Sequence, residues 1–179
     1  MKEDPFPIIL NIFSQILEVF NFDTIGIYSF FIIFFLIVIL LIFSAFISGA
    51  EVSYFSLTMS DLEVLQDHKK KNKLILKLLK FPKSLLASIL IANNFINVAI
   101  VILSAYLTKE SINLPEDSFL EFIFQVIVIT SLLVLFGEIT PKVYANQNAV
   151  KFSLWMAKPL TFLNKVLYPF SFLLISFTS

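Results

Sequence analysis

Two stretches of this chain carry no charge for longer than a bilayer needs: residues 27–47, a run of 21, and residues 84–107, a run of 24. About 20 apolar residues in an α-helix cross the roughly 30 Å of hydrocarbon in a membrane. In lipid, a single segment can span only as a helix, because nothing outside it can satisfy its backbone. A third run, residues 119–136, is almost as apolar, with Glu121 near its outer end. The composition agrees: 58% of the chain is hydrophobic, 15% is charged, and 22 of the 179 residues are Phe, with a mean hydropathy of +0.90. Soluble domains sit near 45–50% apolar and about 25% charged. The expected fold is an all-α membrane protein with three transmembrane helices and juxtamembrane amphipathic helices.

The remaining segments are amphipathic. Residues 6–22 are interrupted by Asn11, Ser14, Gln15, Glu18 and Asn21, a pattern suited to a helix lying at an interface. From Ser48 to about Leu65 the pattern is again amphipathic, and Asp67-His68-Lys69-Lys70-Lys71 follows. Residues 74–81 read as a short surface helix ending at Pro82. After Pro141, the lysines 142, 151, 158 and 165 recur among apolar residues with Pro159 and Pro169 as breaks, which predicts surface helices over 141–170. The last apolar residues, 170–177, simply stop, which suggests a chain cut from a longer protein.

Lysine placement sets the expected orientation. Residues 58–83 hold seven Lys and the segment after Pro141 holds four, whereas 108–118 has one Lys against three acids. The 58–83 segment and the C-terminus are therefore expected in the cytoplasm, with the N-terminus and the 108–118 loop outside. Residues 1–25 form an extracytoplasmic or interfacial segment, and 26–179 form the membrane domain. The acidic start, Met1-Lys2-Glu3-Asp4-Pro5, does not suit a cleaved signal peptide. A nucleic-acid partner is not expected.

Polar groups inside a membrane are costly and mark pathways or packing contacts. Each span has such a cluster. Ser44, Ser48 and Glu51 share one helix face by i, i+4, i+7 spacing. Asn93 and Asn97 share another, with Asn94 beside them. The third is Phe136-Gly137-Glu138-Ile139-Thr140-Pro141-Lys142. Gly137 permits an irregular backbone, and Pro141 lacks the amide that would bond to the Gly137 carbonyl four residues earlier. That carbonyl is then free for another partner, and transporters use such carbonyls to hold cations. Hydroxyls, amide oxygens, a carbonyl and one carboxylate are hard donors suited to Mg²⁺, Ca²⁺ or Na⁺. There is no Cys, and the single His68 lies in the Lys-rich loop, so zinc and copper are disfavoured. The same Ser and Gly residues could instead let helices approach closely. Nothing resembles a Ser–His pair or a metalloprotease helix, so an enzyme is not expected.

Three segments in order, Ser44-Ala45-Phe46-Ile47-Ser48-Gly49-Ala50-Glu51-Val52-Ser53-Tyr54-Phe55-Ser56-Leu57, Asn93-Asn94-Phe95-Ile96-Asn97 and Gly137-Glu138-Ile139-Thr140-Pro141-Lys142, resemble the signature segments of the cyclin M (CNNM)/CorC transmembrane domain. The resemblance covers roughly residues 28–170. It implies a homodimer in the cell membrane, here a bacterial inner membrane, with three spans per subunit and a cytoplasmic belt of helices. It implies Mg²⁺ export coupled to Na⁺ entry, with the ion held by Ser44, Ser48, Asn93 or Asn94, Asn97, the Gly137 carbonyl and Glu138. It also implies cytoplasmic CBS modules, which this chain does not contain. The second reading is a membrane scaffold or assembly subunit, for instance in a surface motility or secretion apparatus, whose polar residues serve dimer packing.

Overall fold

A computed structural model of the chain describes residues 24–66, 70–111 and 123–178. The interfacial helix expected over 6–22, His68, Glu116 and Asp117 of the 108–118 loop, and Glu121 lie outside the described residues. All elements among the described residues are helical. Three helices are long and apolar enough to cross a membrane, at Ile27–Phe55, Pro82–Lys109 and Val126–Gln147.

Helix α1 spans Thr24–Phe55. Its exposed side is a wall of large apolar residues, including Tyr28, Phe31, Ile32 and Phe35, each more than half exposed. In a span this is the lipid-facing surface, so the chain contacts the bilayer directly. The helix runs beyond residue 47, where the sequence suggested a change of character. Ser48, Gly49, Ala50, Ser53 and Tyr54 are all buried, so the small polar residues are one packed face of the same helix. Small residues suit close helix approach in lipid, where no hydrophobic force drives association. A Cβ built on Gly49 would stand 2.7 Å from Cζ of Phe152, so glycine is what lets this ring lie against α1.

Helix α2 is Met59–Gln66, and it begins with a reciprocal cap. The Thr58 amide donates to Asp61 Oδ2 at 2.9 Å, and the Asp61 amide donates to Thr58 Oγ1 at 3.3 Å. This is the capping box, which satisfies two orphan donors of a helix start. The Thr58 hydroxyl and amide also hold the Asp61 carboxyl below its usual pKa. A carboxyl depressed in the folded state stabilises above its unfolded pKa and loses that contribution as pH falls through the folded value. Thr58→Ala should therefore lower the thermal midpoint at neutral pH. The gap to the parent should narrow as pH drops below about 4, measured by melting in detergent.

Helix α3 is Lys70–Leu79, and α4 is Pro82–Ser111. The sequence placed Pro82 at the end of a surface helix, but it opens α4 instead. Proline suits a first helical turn because its missing N–H would have no partner there anyway.

The third span, α5, is composite. It joins a π-helical stretch Phe124–Ile129, a short α-helical piece Thr130–Leu132, a second π-helical stretch Leu133–Ile139 and an α-helical end Thr140–Gln147. The irregular backbone expected at Gly137 and Pro141 is thus a widened helix rather than an unwound segment. The Thr140 amide bonds to the Leu135 carbonyl, five residues back, and Pro141 lies in the first turn of the α-helical end. With the ladder already shifted in register, the missing Pro141 amide does not end the helix. The helix long and apolar enough to span accordingly continues to Gln147 and does not end at residue 136.

Helix α6 is Ala149–Val166 and α7 is Tyr168–Thr178, bent from α6 by 67°. If that bent pair counts as one broken span, the described helices include four spans. On α6, Phe152, Ser153, Met156, Ala157 and Leu160 are buried, while Lys151, Lys158 and Lys165 are exposed. This is the amphipathic pattern read from the sequence. The buried stripe packs on α3, where Ile75 and Leu78 face inward.

The chain divides into two compact units, Met1–Ile39 with Ile100–Ser131, and Leu40–Ala99 with Leu132–Ser179. The second unit holds an apolar core that includes Ile47, Tyr54, Leu85, Ile89 and Leu160. Every side chain of the candidate site below belongs to it.

Candidate metal centre

Three helices each contribute to one cluster of oxygen atoms. Ser44 and Ser48, one turn apart on α1, are fully buried. Asn93 and Asn97, one turn apart on α4, face them. The Ser44 hydroxyl lies 2.8 Å from Asn97 Oδ1 and 3.1 Å from Asn93 Oδ1. The Ser48 hydroxyl lies 3.4 Å from Asn93 Oδ1. Since Ser44 has one proton for two acceptors, the shorter contact to Asn97 is its principal bond, which leaves Asn93 Oδ1 to the long Ser48 contact. Asn97 Nδ2 then donates to Glu138 Oε1 at 2.8 Å. The chain of bonds runs from α1 through α4 to the carboxylate on α5.

Gly137 lies directly against this cluster. A Cβ there would stand 3.2 Å from Ser44 Oγ, so the absent side chain lets α5 come close to α1. Asn94 is different. It is exposed, whereas Asn93 is buried, and an i, i+4 pair such as Asn93 and Asn97 shares a face that the adjacent residue does not. Of the seven residues singled out in the sequence, six are brought together and Asn94 is set apart from them.

Just past the cluster, Lys142 Nζ meets Glu51 Oε2 at 3.2 Å, with the two side chains 35% and 30% exposed. An exposed pair of this kind is worth little in stability. Its consequence here is electrostatic: Lys142 is engaged by Glu51, and Glu138 takes its bond from a neutral amide.

Among the described residues there is no group of three or more His, Cys, Asp or Glu side chains. A cation at this place would meet one carboxylate together with hydroxyl and side-chain amide oxygens. That set suits a hard ion and offers nothing to a soft one.

A second polar cluster was not singled out in the sequence. Ser88 Oγ lies 2.8 Å from Asn164 Oδ1 and 2.7 Å from Ser171 Oγ, and Ser84 Oγ lies 3.3 Å from Asn164 Oδ1. The available signal was the Ser84/Ser88 pair one turn apart in an apolar helix. Its partner, Asn164, lies too far along the chain for spacing to connect the two.

The family described as the cyclin M transmembrane N-terminal domain matches residues 35–179. A UPF0053 protein of Haemophilus influenzae is 34% identical over 147 residues, covering 82% of this chain and 34% of that protein. The UPF0053 protein YugS of Bacillus subtilis is 40% identical over 63 residues, covering 35% of this chain and 15% of that protein. The chain therefore spans about a third or less of the length of these curated relatives.

Proposed function

The chain belongs to the cyclin M transmembrane N-terminal domain family, and from that premise we propose that its oxygen cluster binds a hard divalent cation, Mg²⁺, for export across the membrane. What carries the reading is the convergence of Ser44, Ser48, Asn93, Asn97 and Glu138 from three different spans. Polar residues facing each other inside a bundle are the usual mark of an ion path.

The chemistry follows from the bonds present. Glu138 is held by the Asn97 NH₂ group. A cation arriving between them displaces that donor, and Asn97 turns its amide oxygen toward the ion. Ser44 and Ser48 supply further neutral oxygens, and Gly137 lets α5 lie close enough to Ser44 for them to share one ion. One carboxylate only partly balances a divalent charge, so affinity is modest. A transported ion must leave, and modest affinity permits it. The site is a carrier site and performs no bond chemistry.

The functional unit in this proposal is a homodimer with its N-terminus outside and its Lys-rich helices in the cytoplasm, continued in the whole protein by cytoplasmic CBS modules. Na⁺ is the coupling ion of the proposed export. One observation favours the alternative of a non-transporting scaffold: the five side chains hydrogen-bond to one another across three helices.

Proteoliposomes separate the two readings. Protein reconstituted with Mg²⁺ inside should release it faster than protein-free vesicles when an inward Na⁺ gradient is applied. Equal release from both would rule out the transport reading and leave the scaffold.

A further inference from the structure

Away from the oxygen cluster, α3, α6 and the start of α7 form a groove of about 470 Å³. Leu74 and Phe81 provide apolar wall, and Lys77, Lys165, Asn164 and Tyr168 provide polar groups. No carboxylate lines it. The only ion pair among the described residues is Lys142 with Glu51, so neither groove lysine is neutralised by an acid there.

The lysines belong to a wider pattern. Lys73 and Lys77 lie one turn apart on α3, and Lys151, Lys158 and Lys165 recur every seventh residue on α6. All five are exposed. Residues seven apart share a helix face, so each helix carries a basic stripe, and Lys77 and Lys165 both line the groove.

The second polar cluster fixes what Asn164 presents. Ser84 and Ser88 both direct their hydroxyls to Asn164 Oδ1, which occupies the acceptor end of the amide. Its NH₂ is the end left to meet a ligand. Two ammonium groups, an amide NH₂ and the Tyr168 phenol are all donors, and donors without acids select an anion.

Depth narrows the ligand further. Phe81 lines the groove, and the span of α4 begins at the next residue, Pro82. The groove therefore opens at the membrane–water boundary, where tyrosine and lysine side chains anchor. We propose that it binds the headgroup phosphate of an acidic phospholipid, with Leu74 and Phe81 against the upper part of an acyl chain. The lipid belongs to the leaflet on this side of the membrane, the cytoplasmic one in the orientation proposed above.

The test uses the whole chain in neutral detergent, titrated with fluorescently labelled phosphatidylglycerol and read by anisotropy. Unlabelled phosphatidylglycerol, phosphatidylcholine and inorganic phosphate serve as competitors. Saturable binding of phosphatidylglycerol is expected, with weak competition by either of the others. Each of Lys77→Gln and Lys165→Gln should weaken it about fivefold, the equivalent of about 1 kcal/mol per basic residue near an anionic surface. The double variant should lose about 25-fold. Asn164→Asp keeps the acceptor for Ser84 and Ser88 but puts a carboxylate in the groove, and it should also weaken binding. Lys109→Gln, near the far end of α4, should leave it unchanged. Equal competition by phosphatidylcholine would overturn the proposal, as would full affinity in the double lysine variant. Competition by inorganic phosphate as strong as by unlabelled phosphatidylglycerol would overturn the lipid assignment and leave a free-anion site.

Discussion

Replacing Glu138 with glutamine should abolish Mg²⁺-dependent stabilisation while leaving the metal-free chain at least as stable as the parent. The glutamine amide keeps an oxygen at the position where Glu138 Oε1 now accepts from Asn97 at 2.8 Å, so the bond linking α4 to α5 can persist. Losing a charge from inside a membrane helix is itself favourable. What disappears is the single formal negative charge of the cluster. Even outer partners of metal ligands are worth 10–100-fold in affinity, so Mg²⁺ affinity should fall by about 100-fold or more. Thermal melting across a Mg²⁺ titration measures both quantities at once. A parent-like Mg²⁺ response in Glu138→Gln would remove the carboxylate from the site.

The opposite change at the neighbouring position should make stability depend on the ion. Asn97→Asp replaces the donor to Glu138 with a second carboxylate at hydrogen-bond distance. Without a cation, the two like charges repel and Glu138 loses its only protein donor among the described residues. An unsatisfied buried acceptor costs about 1–3 kcal/mol; Glu138 is half-buried, so the cost falls toward the lower end and the metal-free variant should melt below the parent. With Mg²⁺ between the carboxylates the deficit should close, because ligand at 100 times its Kd stabilises by about 2.7 kcal/mol. If these residues served only helix packing, Asn97→Asp would be destabilised to the same degree with and without Mg²⁺.

The fold was largely legible because hydrophobic length is a direct physical signal. The uncharged runs at 27–47 and 84–107 lie inside α1 and α4. The ends were less legible, for local reasons. Ser48 and Gly49 looked like a change of environment because they are small and polar, yet they are the packed face of α1 against Phe152. Gly137 and Pro141 looked like a break, and the helix absorbs them by widening to five-residue bonding. In the candidate site, pairing at i, i+4 identified Ser44 with Ser48 and Asn93 with Asn97. Asn93 and Asn94 could not be separated from the sequence, because helix rotation about its own axis is set by tertiary packing. The Ser84, Ser88 and Asn164 cluster escaped for a related reason: its members are about 80 residues apart and no local pattern joins them.

The most direct measurement is an experimental structure of the protein at saturating Mg²⁺, with Mn²⁺ as an anomalous-scattering substitute in a second crystal. An ion bonded to Glu138 is expected, with Asn97 turned so that its amide oxygen, no longer its NH₂, faces the metal. Oxygen distances of about 2.1 Å would identify Mg²⁺, against about 2.3–2.6 Å for Ca²⁺. A well-ordered cluster with Asn97 Nδ2 still on Glu138 and no density among Ser48, Asn97 and Glu138 would contradict the proposed ion site.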